Sequence, residues 1–229
     1  MKKRIQNTIT LLSAGMLLGC LAHNSLAAPF QNGDFETGDF SPWAGTIDDY
    51  ITPVNVSSDS SSYFQLIHSP DPSFSWIAQV SLDDTYFNNT LYQNFTMDTL
   101  SAGETMDISF WIDWSPTDET SDGASVVLED IGGNTALDLL DGISDTDLLQ
   151  GTWVTQDITS FAQTYGGQDV SLNFSLFDMD FVTDDTLVLD NVSFTRHAPS
   201  PVPEPASAAL FAAGLAGLMG IGRKHQKKK

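Results

Sequence analysis

The sequence predicts an all-β fold, an antiparallel sandwich, and three observations carry that expectation. Two segments alternate strictly. In TMDISFWIDW, Met106, Ile108, Phe110, Ile112 and Trp114 share one phase against Asp107, Ser109, Trp111 and Asp113. In VSLNFSLF, Val170, Leu172, Phe174 and Leu176 oppose Ser171, Asn173 and Ser175. A period of two sets one face on a core and the other toward solvent. Apolar runs of strand length recur along the chain, separated by clusters of Asp, Gly, Ser, Asn and Pro. Parallel α/β folds need amphipathic crossover helices, and no segment of that kind joins the runs.

Taken in order, the elements begin with a secretory signal over 1–27. Lys2, Lys3 and Arg4 supply the positive start, 9–21 the apolar run, and Ser25-Leu26-Ala27 a small-residue site for signal peptidase. Leu17-Leu18-Gly19-Cys20 also resembles a lipoprotein processing site, which would leave Cys20 acylated. The body, 28–197, is expected to hold strands at 63–67, 76–80, 106–113, 124–128, 152–158, 170–177 and 187–194. The stretch 135–149 reads as a long loop with a helical turn, since DLLDGISDTDLL carries Gly142 and many Asp. A tail, 198–229, follows: a Pro-rich spacer, a short apolar helix over 206–221, and a basic end.

Charge narrows the function classes. Three of the nine Lys and Arg residues lie within 1–27 and five beyond Gly222, which leaves Arg196 alone in the body. All but one of the thirty Asp and Glu residues are in the body; only Glu204 is in the tail. Such a surface repels nucleic acid and anionic lipid, both of which need clustered Lys and Arg. With Cys20 as the single cysteine, the mature body has no internal disulfide. His68 and His197 are its only histidines, so a Cys–His pair is impossible and a His-rich zinc site has too few ligands. No nucleophile-elbow pattern is present, and the protein reads as a non-enzyme.

One acid has an unusual position. In the run Val188, Asp190, Val192, Phe194 the carboxylate shares the phase of three apolar side chains, and a charge on a core-facing position is costly unless paired. Arg196 lies about 20 Å further along the same strand, too far to be its partner. Asp190 must therefore be protonated, open to water at a strand end, or bound to a metal. Oxygen donors without a His or Cys cluster favour Ca²⁺ over zinc.

Asn32-Gly33-Asp34-Phe35-Glu36-Thr37-Gly38, followed by Phe40-Ser41-Pro42-Trp43, resembles the opening of carbohydrate-binding modules of the galactose-binding-like jelly-roll type. Leu189-Asp190-Asn191-Val192-Ser193-Phe194 resembles their closing strand, and YQNFTMDTLSAGETMDISFWI and GTWVTQDITSF resemble intermediate stretches. The resemblance implies a jelly-roll β-sandwich with a structural Ca²⁺ held by Glu36 and Asp190, with Asp34 a weaker third ligand. It also implies an extracellular polysaccharide as partner. Sugar binding needs an aromatic platform flanked by polar groups. Trp111, on the polar face of its strand, is the first candidate, beside Asp113; Tyr86 and Tyr50, in Asp-rich loops, are weaker ones, while Trp43, Trp76 and Trp153 suit a core equally well.

The tail answers where the domain goes. As a helix the run 206–221 would span about 24 Å, short for a permanent membrane crossing. Val202-Pro203-Glu204-Pro205, then an apolar helix, then Arg223, Lys224, Lys227, Lys228 and Lys229, resembles the PEP-CTERM sorting signal of Gram-negative bacteria. That resemblance implies transient inner-membrane insertion, cleavage by an exosortase-type transpeptidase, and delivery to the cell surface or extracellular matrix. The expectation is thus an exported polysaccharide-binding sandwich. Its rivals are a structural biofilm or adhesion protein without a sugar pocket and, more distantly, a glycan-active enzyme.

Overall fold

The computed structural model describes residues 29–47, 53, 54, 56, 63–69, 75–116, 122–132, 135–178 and 185–199. The signal segment and the sorting tail, with Val202, Pro203, Glu204 and Pro205, lie outside the described residues, as does Tyr50. The chain divides into two units, Met1–His197 and Ala198–Lys229. Among the described residues no helix is long and apolar enough to cross a membrane.

Two antiparallel sheets face each other. One has six strands in the order β2-β1-β5-β10-β7-β8: β1 is Ala44–Ile47, β2 Pro53–Val54, β5 Asn88–Thr96, β7 Gly123–Asp130, β8 Ala136–Asp138 and β10 Asp169–Phe177. The other has five in the order β3-β4-β11-β6-β9: β3 is Phe64–His68, β4 Trp76–Leu82, β6 Thr105–Ser115, β9 Thr152–Asp157 and β11 Asp185–His197. This is the antiparallel sandwich that the alternation predicts, in the jelly-roll form that the resemblance implies. All five residues of the apolar phase of β6 and all four of β10 are buried. Phe110 and Phe174 meet between the sheets edge to face, centroids 5.3 Å apart.

Other elements depart from the sequence reading. The stretch 135–149 contains an edge strand, β8, and a single helical turn, α1 (Asp145–Leu148), capped by the Ser144 side chain accepting from the Asp147 amide. A second helix, α2 (Thr159–Tyr165), turns Phe161 and Ala162 into the core between two expected strands, where the sequence reading placed no element. The larger correction concerns β11. Its pairing with β6 slips by one residue between Asp190 and Ser193, a β-bulge with Asn191 at φ +53°. Before the bulge Leu187 and Leu189 face the core; after it Val192 does, while Val188 is only half-buried. Val188 and Asp190 are therefore not in phase with Val192 and Phe194, because the extra residue reverses the alternation.

The opening segment docks onto this bulge. Val192 N–H donates to the Gly33 carbonyl at 2.8 Å, and a Cβ at Gly33 would stand 1.9 Å from the Val192 oxygen. Only glycine permits that approach. Gln31 and Gln93 exchange backbone and side-chain hydrogen bonds, and Phe30 packs edge-on against Trp43, Phe95 and Phe194.

Candidate functional site

The bulge places the three sequence-predicted acids within one electrostatic neighbourhood. Asp190 is 1% exposed. Its two oxygens accept from the Asn191 backbone amide at 2.7 Å and the Asn191 side-chain amide at 2.9 Å. Burial, reinforced by the charges of Glu36 and Asp34 and partly offset by the Asn191 amide, pushes its pKa up to about 7. So the acid is buried, although through the bulge and not through the strand phase read from the sequence. Glu36 is held differently: Oε1 accepts from the backbone N–H groups of Trp76 and Ser75, at 3.2 and 2.9 Å, which lowers its pKa. Asp34 accepts from the Glu36 amide at 3.4 Å. Arg196 is occupied elsewhere, paired with Glu104 at 2.9 Å and donating to the Thr99 carbonyl. An all-oxygen donor set with no side-chain cation beside it suits a hard cation such as Ca²⁺.

Beside these acids opens a cleft of about 560 Å³, whose lining includes Asp34, Asp98, Trp153, Asn191 and Ser193. That volume falls within the range of small-ligand sites. Trp153, on β9, is 56% exposed, the one large apolar side chain so exposed among the described residues. It pairs across the ladder with Trp111, and Trp111 in turn pairs with Asp190, so the two indoles share the outer face of the five-stranded sheet. Trp111 is half-buried, and a Cβ on Gly151 would stand 2.8 Å from its ring. Asp113 lies on the same face, beside Gly151, and burial raises its pKa. Tyr86 is not brought to this group: it packs edge-on against Tyr63, centroids 5.4 Å apart, in the turn between β4 and β5. The exposed indole on this face is Trp153, with the half-buried Trp111 beside it. The signal for it was available: Trp153 has the phase opposite to Val154, which is fully buried.

Sequence reasoning also missed a polar ladder on the outer face of the six-stranded sheet. Thr90 and Ser175 bond across strands at 2.8 Å, and Ser171, Asn173 and Glu129 form a chain of hydrogen bonds. Burial raises the Glu129 pKa against the opposing Asn173 bond. Elsewhere, His68 lies against Trp76 with centroids 3.9 Å apart, and His197 contacts Asp107 at 2.9 Å.

Fold and sequence can now be set beside known proteins. Residues 201–224 match the PEP-CTERM protein-sorting motif, which covers the four residues singled out in the tail. The motif marks an exported protein sorted toward the cell surface. No curated protein sequence matches the chain. Among solved structures, the carbohydrate-binding module TmCBM61 in complex with beta-1,4-galactotriose is 17% identical with a TM-score of 0.48, covering 74% of this chain and 99% of that one. A non-crystalline cellulose specific carbohydrate-binding module, CBM28, is 11% identical with a TM-score of 0.43, covering 76% and 98%. The enzymatically active domain of Bacteriophage CBA120 tailspike protein 4 is 16% identical with a TM-score of 0.45, covering 81% of this chain but 23% of that one. At these identities the likeness is one of fold.

Proposed function

We propose that the β-sandwich binds extracellular polysaccharide without transforming it. The observation that carries this reading is Trp153, an exposed indole lining a cleft of about 560 Å³ whose walls carry both polar and apolar side chains. Sugar C–H faces pack on such a ring while neighbouring carboxylate and amide groups take the hydroxyls. Trp111 supports Trp153 from the adjacent strand, and Asp113 supplies an acceptor on the same face. A Ca²⁺ ion at Asp190, Glu36 and Asp34 would lock the bulge and the opening segment that form one wall of the cleft.

Around this domain the proposed route is export by the N-terminal signal and signal peptidase, followed by transient inner-membrane insertion of the tail. An exosortase-type transpeptidase would then cleave near 202–205 and deliver the domain to the surface or matrix of a Gram-negative cell. The binding reading is tested on a glycan array with the Trp153→Ala and Trp111→Ala variants. Selective retention by wild type, weakened at least tenfold by Trp153→Ala with the fold intact, is the expected result. Retention of no glycan by wild type, accompanied by self-association, would replace the reading with that of a structural matrix protein. Reducing ends released from polysaccharide would replace it with an enzyme. Intact-mass detection of Lys229 on the extracellular protein would refute the cleavage.

A further inference from the structure

We propose that Asp122, Asp178 and Asp185, together with the side-chain oxygen of Asn89, form a second calcium site that ties the two sheets together. Register places the acids. Gly123 pairs with Phe177, so Asp122, just before β7, and Asp178, just after β10, continue the same ladder opposite each other. Each keeps the core-facing phase of its strand, Asp178 that of Leu176 and Phe174, Asp122 that of Val126 and Leu128. Asp185 opens β11 in the other sheet, in phase with Leu187 and Leu189. Asp178 and Asp185 are 0% exposed, and one carboxylate oxygen from each of the three acids lies within 4.8 Å of the others. Oxygens bound to one Ca²⁺ at 2.3–2.6 Å stand at most about 5.2 Å apart, so the spread fits a single ion.

Basic side chains are scarce in this part of the chain. The sequence has no Lys between 28 and 199, and its one Arg there is bound to Glu104. Three carboxylates this close, two of them fully buried, repel one another strongly unless a proton or a cation lies among them.

A second, independent observation points to a ligand. Asn89 is 0% exposed and shares the core-facing phase of Leu91 and Phe95 on β5. Its Nδ2 donates to the Ser81 carbonyl, one residue from Leu82, which pairs with Asp185. Across the other ladder it faces Leu176, two residues from Asp178. The amide is thus held by its nitrogen between the strands that carry the acids, and its buried Oδ1 has no hydrogen-bond partner. An unsatisfied buried acceptor on β5, the strand paired with β10, suits a cation bound among the acids. Trp114 Nε1, also buried and without a partner, lies on β6 opposite Leu187, two residues from Asp185, where it suits an ion-bound water. The site stands about 16 Å along β11 from Asp190 and is separate from the bulge.

Calcium binding by the full-length chain, measured by equilibrium dialysis with calcium alone and with magnesium in parallel, tests this. In the Glu36→Gln background the expected result is one bound Ca²⁺ per chain, lost or weakened at least tenfold by Asp122→Asn. Asp122 is half-buried, so that variant should fold, as circular dichroism would check; Asp178→Asn is the second variant and should act alike. No calcium bound in the Glu36→Gln background, or binding unchanged in both aspartate variants, overturns the site. Equal retention of magnesium overturns its assignment to calcium. A stoichiometry that Glu36→Gln leaves unchanged from wild type would instead count against the bulge site.

Discussion

The two acidic clusters differ in how the chain makes them. At the bulge, Asp34 and Glu36 lie in a loop that docks through backbone, and Glu36 is steadied by two amides of the Ser75–Trp76 segment. At the strand ends, Asp122, Asp178 and Asp185 continue ladders already fixed by the sandwich, and two of the three are fully buried. The first cluster depends on a glycine and a register slip; the second requires only that both sheets form. A loop-built cluster should therefore fail with its loop, whereas a ladder-built one should outlast it.

The largest expected effect breaks the first cluster alone. Gly33→Ala forces a Cβ into the Val192 carbonyl and should cost about 2–4 kcal/mol of stability by denaturant unfolding, while calcium at the strand ends survives. Chelation comes next: removing calcium present at about a hundredfold over its Kd should lower stability by about 2.7 kcal/mol per site. Thermal melts of Glu36→Gln and Asp122→Asn apportion that loss between the clusters. Next is pH. In calcium-free buffer Asp190 titrates near 7 in the native chain and near 4 when unfolded. The native state then binds the extra proton, so its stability should fall as pH rises from about 4 to about 7. Asp190→Asn should flatten that slope, and a slope unchanged in the variant would assign it elsewhere. The smallest effect on stability is expected for Trp153→Ala, within about 0.5 kcal/mol for an exposed side chain, despite its predicted loss of glycan binding.

What was legible in the sequence follows the same division. The strict alternation of β6 and β10 gave their buried faces residue by residue, because a period of two survives wherever the ladder is regular. It failed at Asp190, since a bulge adds a residue without any mark in the pattern, and it failed at Asn88 and Asn89, whose amides disguise the start of β5. Asp34, Glu36 and Asp190 were identifiable because they lie in motifs. Asp122, Asp178 and Asp185 sit among many other acids at strand ends, and only three-dimensional register sets them apart. Trp153 was left among the core candidates although its phase, opposite to the fully buried Val154, marks the outer face of β9.

The strand orders also bear on the sequence of assembly. β10 lies between β5 and β7, and β11 between β4 and β6, so the last two strands among the described residues are the keystones of both sheets. A chain emerging from its N-terminus can pair β3 with β4 and β6 with β9, yet neither sheet closes until residues 169–197 arrive. Folding is thus dominated by distant pairings, which are slow to form, and completes only once residues 169–197, just ahead of the sorting motif in sequence, are available. The strands that close both sheets are therefore the ones that lie nearest the sorting motif in sequence.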